Sequence, residues 1–584
     1  MKEVIRNYWN FFQDQAFEQQ REYRNVRFTL MQQLFREEKA CYATIEYINI
    51  ETGHIIIRCK KGYAPRLKMR RSFVLIKKAA REKWGEFPPL WNCCFNDFIA
   101  SKEYCTPYSE ITPLYYLNKN DSEFDYLGCG SISIDMFNKI KNALTDGIQP
   151  RIIMFDSEPP IDYYLNLSTY LTAHADDKEL FLEPKISYEE WEPEELAYDP
   201  NNGLGIAEKI INTVKDEHLV VVQGPPGTGK SYTIAHVITK YLDEGKSVCV
   251  TAMANKGLEE LIMQPPLKKY LENGKLSKTM LTADEMMRAK GLKAASKDLI
   301  VPKGEALFAT NYKLSSLFAE ERKGNLPSYD LVVIEEASQA YLATIVAFKK
   351  LGNDILIVGD PMQLPPIVMN SQKSCYKTWN VNTQINGLIS FALGTNCHSF
   401  RITTTFRLTE SSAKLTGLFY GNSLKSVRTE YVEFPKLRRD LFPSKGGVKY
   451  KVLEGATNGI SSKQALSTIN EILNLLNENY PKTSIAIISP FKDTVRSLQS
   501  KFQTDKQKLD LTIETIDRVQ GITVDYAILY CPLRNIGFAL DERRFNVATS
   551  RSRSTTLILS DIDLLSMNSI TGKVRKFLSL AEII

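Results

Sequence analysis

Apolar side chains recur at three- and four-residue intervals near the start of the chain, from Ile5 through Trp9, Phe12 and Ala16 and again from Val26 through Leu30 to Leu34. That spacing places them on one helical face and predicts one long helix, or two joined. The period then drops to two. Cys41 to Ile50 and His54 to Arg58 are rich in aromatic and β-branched side chains and flank a turn at Thr52-Gly53, the pattern of a β-hairpin. Near 176 to 199 the apolar pattern lapses, and Glu189, Glu190, Glu192, Glu194 and Glu195 crowd around Pro184, Pro193 and Pro200. Such a stretch predicts a linker. Beyond it the short apolar runs Leu219 to Val222, Val248 to Val250, Leu331 to Ile334 and Ile355 to Val358 alternate with helical stretches, as in a parallel α/β sheet. A second series, Ile485 to Ile488, Tyr526 to Leu529 and Thr556 to Leu559, predicts another α/β unit. The changes of pattern divide the chain into a helical segment (1–40), a β-rich domain (41–175), an acidic linker (176–205), a first α/β domain (206–395) and a second (396–584).

Composition changes this picture little. A chain of 584 residues with 43% hydrophobic and 24% charged side chains is an ordinary globular sequence, long enough for about four domains. The net charge of +6 is too small to argue for nucleic acid alone, so any basic binding surface must be local. One candidate is Lys60, Lys61, Arg66, Lys68, Arg70 and Arg71, with Tyr63 and Phe73 among them; it reads equally as a phosphate-tracking surface or a solvated strand face. Ten cysteines are scattered without a Cys-x-x-Cys pair, and Cys93, Cys94, Cys105 and Cys129 lack the regular spacing of a metal site. Reduced core thiols are expected. With Glu3 and Asp14 near the start and no run of about 18 apolar residues, neither an export signal nor a membrane span is expected, and the predicted location is cytoplasmic.

The strongest chemical signal is Gly224-Pro-Pro-Gly-Thr-Gly-Lys-Ser231, between an apolar strand and the helical stretch Tyr232 to Tyr241. Gly224, Gly227, Thr228 and Gly229 form a tight turn whose N–H groups face a β-phosphate, Lys230 neutralises the β/γ oxygens, and Ser231 ligates Mg²⁺. This is a P-loop. Hydrolysis also needs an acidic residue for the metal and a carboxylate to orient water, and Glu335 and Glu336 follow the run Leu331 to Ile334. Gln363, in Gly359-Asp-Pro-Met-Gln-Leu-Pro-Pro366, is placed to sense a γ-phosphate. Arg407 and Arg551 are candidates for a cation on that phosphate.

In this order, GPPGTGKS, IEEASQ, GDPMQLPP, TTTFR, SIAIISPFK, TIDRVQG and RRFNVATSRSR resemble the superfamily 1B helicases of the Upf-like and Sen-like branch, from Gly224 to about Ser560. The resemblance implies an α/β fold of two RecA-like P-loop domains with ATP and Mg²⁺ between them, Arg407 and Arg551 as finger arginines, and Phe406 stacking on adenine. It implies single-strand contacts from Thr251, Asn255, Thr310, Ser489, Pro490 and Thr515. It also implies a β-barrel on a helical stalk, which matches the helix and hairpin before residue 77, and an inserted subdomain where Lys256 to Lys297 stands.

The chain departs from the family at Glu335, usually Asp, at Thr405, usually Gln or Asn, and at Thr523, usually Glu; residues 198 to 207 show no clear adenine-reading glutamine. The implied activity is an ATP-dependent helicase or translocase moving 5′ to 3′ on single-stranded DNA or RNA. The alternative is an ATP-gated clamp that binds a strand, hydrolyses weakly and does not unwind. No nuclease motif is present, so a processing role calls for a protein partner supplying nuclease or targeting.

Overall fold

Period-two alternation lets each strand of the predicted hairpin bury one row of side chains, and six such strands close on themselves. The computed structural model describes residues 2–584 apart from 38, 62, 66, 68–70, 77–92, 101–108, 118–120, 158–159, 320–325, 371–380, 429–431, 456–458, 503–507 and 535. In it β1 (Ala40–Asn49), β2 (His54–Lys60), β3 (Arg71–Ile76), β4 (Ser109–Leu117), β5 (Phe124–Gly130) and β6 (Arg151–Asp156) form a closed barrel in the order β1-β2-β5-β4-β3-β6. Ile45, Ile57, Ile111, Leu127 and Ile152 fill it, and the thiols of Cys41, Cys59 and Cys129 are buried among them. Closure leaves no free sheet edge.

Continuous apolar runs are buried on both faces, which suits parallel strands covered by helices. A first sheet gathers β7 (Glu194–Leu196), β8 (Leu219–Gln223), β9 (Val248–Ala252), β10 (Leu276–Lys278), β11 (Lys293–Ala294), β12 (Ala306–Thr310), β13 (Tyr329–Ile334), β14 (Gly352–Gly359) and β15 (His398–Ile402) in the order β11-β10-β12-β9-β13-β14-β8-β15-β7. A short pair, β16 (Thr404–Thr405) and β17 (Lys425–Ser426), follows. The second sheet comprises β18 (Gly447–Val452), β19 (Ser484–Ser489), β20 (Asp510–Thr515), β21 (Val524–Cys531), β22 (Ser552–Ser560) and β23 (Glu582–Ile583), ordered β20-β19-β21-β22-β18-β23. The α/β fold has two sheets, a stalk and a barrel. No helix among the described residues is long and apolar enough to cross a membrane.

Several boundaries differ from the sequence reading. β7 lies inside the expected acidic linker and pairs with β15, which lies beyond the expected end of the first domain at 395. β15 in turn pairs with β8, so the first sheet closes only at Ile402. The stretch expected as an insertion supplies the edge strands β10 and β11, and its Lys278 is fully buried, paired with Glu285 at 2.9 Å and donating to Asn255 Oδ1 at 2.9 Å. Arg71 is also buried, its Nη1 donating to the Lys39 carbonyl, so it is not part of a phosphate-tracking face; Arg66, Lys68 and Arg70 lie outside the described residues. Lys60 and Lys61 are exposed.

The stalk is a pair of helices. Lys2–Arg27 packs along Asp162–Ala173, a helix inside the expected accessory domain. Phe11 and Phe12 meet Tyr341 of the first sheet's helical layer at ring distances of 5.8 and 5.1 Å, both edge to face. Tyr163 shares a hydrogen bond of 2.5 Å with Thr344, and Asn166 donates to Ser315 at 3.0 Å. The barrel end is pinned too, where the Ser131 N–H donates to Asp284 Oδ1 at 3.0 Å. Stalk, barrel and first sheet are therefore one packed body. Emptying the aromatic contact with Phe12→Ala is expected to cost about 3–5 kcal/mol in denaturant unfolding, whereas Phe17→Ala, at a side chain 61% exposed, should change stability by less than about 0.5 kcal/mol.

Candidate functional site

The glycine-rich segment leaves β8 at its carboxyl end, turns through Gly227 (φ 74°) and Gly229 (φ 73°), and enters the helix Lys230–Asp243. The turn needs glycine for space as well as for φ. A Cβ at Gly227 would lie 2.4 Å from the Cβ of Arg407 and 2.8 Å from Thr405 Oγ1. That approach is held by hydrogen bonds, since Thr405 Oγ1 donates to the Pro226 carbonyl at 3.0 Å and the Phe406 N–H to the Gly227 carbonyl at 2.8 Å. Thr405, the departure from Gln or Asn, thus braces the loop.

Gly224 to Ser231 line a cavity of about 220 Å³ together with Glu335, Glu336, Gln363, Arg407 and Arg551. Lys230 Nζ is 3.5 Å from Glu335 Oε1. Burial alone would depress this ammonium, but Glu335, Glu336 and Asp360 outweigh it and raise its proton affinity above the ordinary value. Glu336 follows β13 in the left-handed region (φ 52°), and its Oε2 is buried without a hydrogen-bond partner. Burial first and Glu335 second push its carboxyl up to about 7. A carboxylate with a free, buried oxygen and a pKa near neutrality is suited to take a proton from water.

The cations face the phosphate loop from the other side. Burial pushes Arg407 down to about 10, against the pull of Glu260, while its Nη1 donates to the Ser550 carbonyl at 3.4 Å. Burial and the charge of Arg407 push Arg551 down to about 9, and its Nε donates to the Val547 carbonyl at 2.6 Å. Both therefore remain charged near neutral pH, and their mutual repulsion in a buried setting favours an anion between them. Gln363 accepts from Gln520 Nε2 at 3.3 Å and donates to Asp360 Oδ2 at 3.1 Å. Phe406 is 44% exposed beside Gly229, with the edge of Tyr198 5.1 Å from its ring centre. Ser231 and Glu335 offer oxygen donors on the same cavity, which suits a hard divalent cation shared with phosphates and water. Among the described residues no group of three or more His, Cys, Asp or Glu could hold a metal by itself.

The strand-contact candidates stand at carboxyl ends of parallel strands, where ligands of such sheets bind. Thr251 lies one residue before the end of β9 and Thr310 ends its neighbour β12; Ser489 and Thr515 end β19 and β20 and pair with each other. Their side chains differ in access. Thr251 is fully buried and donates to Asn311 Oδ1 at 2.7 Å, and Ser489 is fully buried as well, so neither hydroxyl is presented to a strand. Thr310 caps the next helix by accepting from the Lys313 N–H at 3.3 Å, and Thr515 is 7% exposed. Asn255 and Pro490 are partly exposed. Sequence reasoning missed Glu260, on the helix Asn255–Ile262, and Gln264, just past its end, which line the cavity without belonging to a motif, and Tyr198, which sits among turn residues.

Family models described as AAA domains match residues 207–369 and 398–563. Over 402 residues the chain is 25% identical to the DNA replication ATP-dependent helicase/nuclease dna2 of Schizosaccharomyces pombe, covering 62% of this chain and 28% of that protein. It is 22% identical over 456 residues to the ATP-dependent helicase upf1 of the same organism, covering 67% and 47%. Helicase sen1, again from S. pombe, is 24% identical over 266 residues, covering 42% and 15%. The chain spans less than half the length of each of these relatives.

Gly227→Ala is expected to lose about 1–3 kcal/mol of stability in denaturant unfolding and to weaken nucleotide binding, because the added methyl displaces Arg407. Gly245 has a similar φ of 71° with nothing within 4 Å, so Gly245→Ala should cost only about 1 kcal/mol and leave nucleotide binding unchanged.

Proposed function

Because the chain belongs to the superfamily 1B helicases of the Upf-like and Sen-like branch, we propose that it is an ATP-driven helicase or translocase on single-stranded nucleic acid, moving 5′ to 3′. One observation carries this reading: a single cavity is lined by the phosphate loop of the first sheet and by Arg551 at the foot of the second. Such a cleft closes on a triphosphate and reopens on its loss.

In this reading the turn from Gly224 to Gly229 cradles the β-phosphate, Lys230 neutralises the β/γ oxygens, and Phe406 stacks on the base. Mg²⁺ held by Ser231 and Glu335 would neutralise phosphate charge. Glu336 orients the attacking water and takes its proton, Gln363 senses the γ-phosphate, and Arg407 and Arg551 stabilise the charge that develops on it. Strand contacts fall to Asn255, Pro490 and the ends of β12 and β20, at Thr310 and Thr515, with Lys60 and Lys61 adding phosphate contacts from the barrel. We place the boundary between the two RecA-like domains just after Ile402.

The test is ATP turnover with single-stranded DNA, single-stranded RNA or no strand. Turnover should rise with one of the strands, and Lys230→Ala should abolish it without loss of thermal stability; unchanged turnover in that variant would overturn the P-loop reading. Glu336→Gln should lower kcat by about 10²–10⁴ while ATP-dependent strand binding persists, which is also what separates a motor from a clamp. Since Glu336 acts deprotonated and its carboxyl titrates at about 7 in the free protein, kcat/KM for ATP should fall as the pH drops below about 7.

A further inference from the structure

Behind the cavity, the two halves of the molecule meet through three buried polar side chains, Asp360, Tyr420 and Asn546, and the half-buried Gln363. Asp360, at the carboxyl end of β14, is 1% exposed. Its Oδ1 accepts from the Met362 N–H at 3.1 Å, and its Oδ2 accepts from Gln363 Nε2 at 3.1 Å and from the Tyr420 hydroxyl at 2.7 Å. Tyr420 closes the turn Leu418–Tyr420 ahead of the second sheet and is fully buried. Its oxygen accepts from Asn546 Nδ2 at 2.7 Å, and the same Nδ2 donates to the Met362 carbonyl at 2.9 Å. That carbonyl can only accept, which fixes the orientation of the amide. Asn546 lies on the helix Glu542–Thr549; its own carbonyl accepts from the Ser550 hydroxyl at 2.7 Å, one residue before Arg551.

We propose that Tyr420 and Asn546 are positioning residues that tie the γ-phosphate sensor Gln363 to the helix preceding Arg551, so that occupancy of the nucleotide site and seating of the arginine become one event. The proposal rests on the reading of this cavity as an ATP site. Packing does not account for the pair. Tyr420 and Met362 belong to one apolar cluster with Leu364, Phe419 and Phe545, where a phenylalanine and a leucine would fill the space without leaving Asn546 Oδ1 buried and unpaired. A hydroxyl that donates to a carboxylate of one half and accepts from an amide of the other is satisfied only while the halves are apposed. Opening would leave Asp360, Tyr420 and Asn546 each short of a partner, which costs far more than sliding apolar surfaces apart. The network therefore holds a discrete closed arrangement.

Tyr420→Phe in the full chain keeps the ring and removes the shared hydroxyl. With saturating strand, kcat for ATP should fall by about 10- to 100-fold while KM for ATP changes by less than about threefold, the loss expected when a hydrogen bond to a charged group is absent from the transition state only. Asn546→Ala should give a similar loss, and the double variant little more, because the two groups act as one unit. Phe419→Leu, a truncation in the same cluster with no polar group involved, should lower thermal stability yet change kcat by less than about twofold. Turnover of Tyr420→Phe within about twofold of the parent, or losses that multiply in the double variant, would overturn the coupling and leave the helicase reading standing. A parent protein without strand-stimulated turnover would overturn the helicase reading and the coupling with it.

Discussion

Lys230 has to stay a cation in a cleft whose burial works to discharge it. Three carboxylates prevent that, and all reach it from the carboxyl ends of two strands: Glu335 and Glu336 from β13 and Asp360 from β14. The order β13-β14-β8 is what sets those ends beside the phosphate loop. Without those carboxylates the buried lysine would be an unpaired ammonium, which is costly. The same crowding divides the carboxylates by role. Glu335 pairs with the lysine, while Glu336, beside a charged neighbour and short of a partner, is left holding its proton near neutrality.

The opposite wall carries the complementary imbalance. Arg407 and Arg551 repel one another in a buried setting, and Arg551 is steadied by the Val547 carbonyl and the Ser550 hydroxyl. An incoming polyanion relieves both walls at once, since it pairs with the arginines and gives Lys230 a second partner. The charges of the two walls thus suit the phosphates of a nucleotide. Thr405 contributes from beneath, joining the loop of one half to the segment that carries Arg407.

What could be read from the sequence was whatever sat in one contiguous segment with its chemistry on display. The phosphate loop needs glycine, lysine and serine at fixed positions, and no other fold of those residues is as economical. β7 was hidden because its residues are Glu194, Glu195 and Leu196, and an edge strand with solvent-facing glutamates looks like a charged linker. The stalk's second helix was hidden although Tyr163, Tyr164, Leu167, Tyr170 and Leu171 share one face, because three of the five are tyrosines, as common in strands, and Leu165 stands exposed on the opposite side. Thr251 and Ser489 misled in a different way. Hydroxyl residues at strand ends are equally at home facing a ligand or closing an internal hydrogen bond, and Thr251 does the second with Asn311.

The docking of the stalk on the first sheet has a mechanical side. Phe12 is locked against Tyr341, and from there the helix runs on to Arg27, beside the barrel. At about 1.5 Å per residue that run is about 22 Å of stiff rod, held along its length by Gln15 on the Met369 backbone and Gln19 on the Tyr164 hydroxyl. Because stalk, barrel and first sheet are one packed body, any rotation of the second half about the cleft moves it against the barrel as much as against the phosphate loop. The barrel therefore travels with the phosphate loop, and the helix between them is a strut.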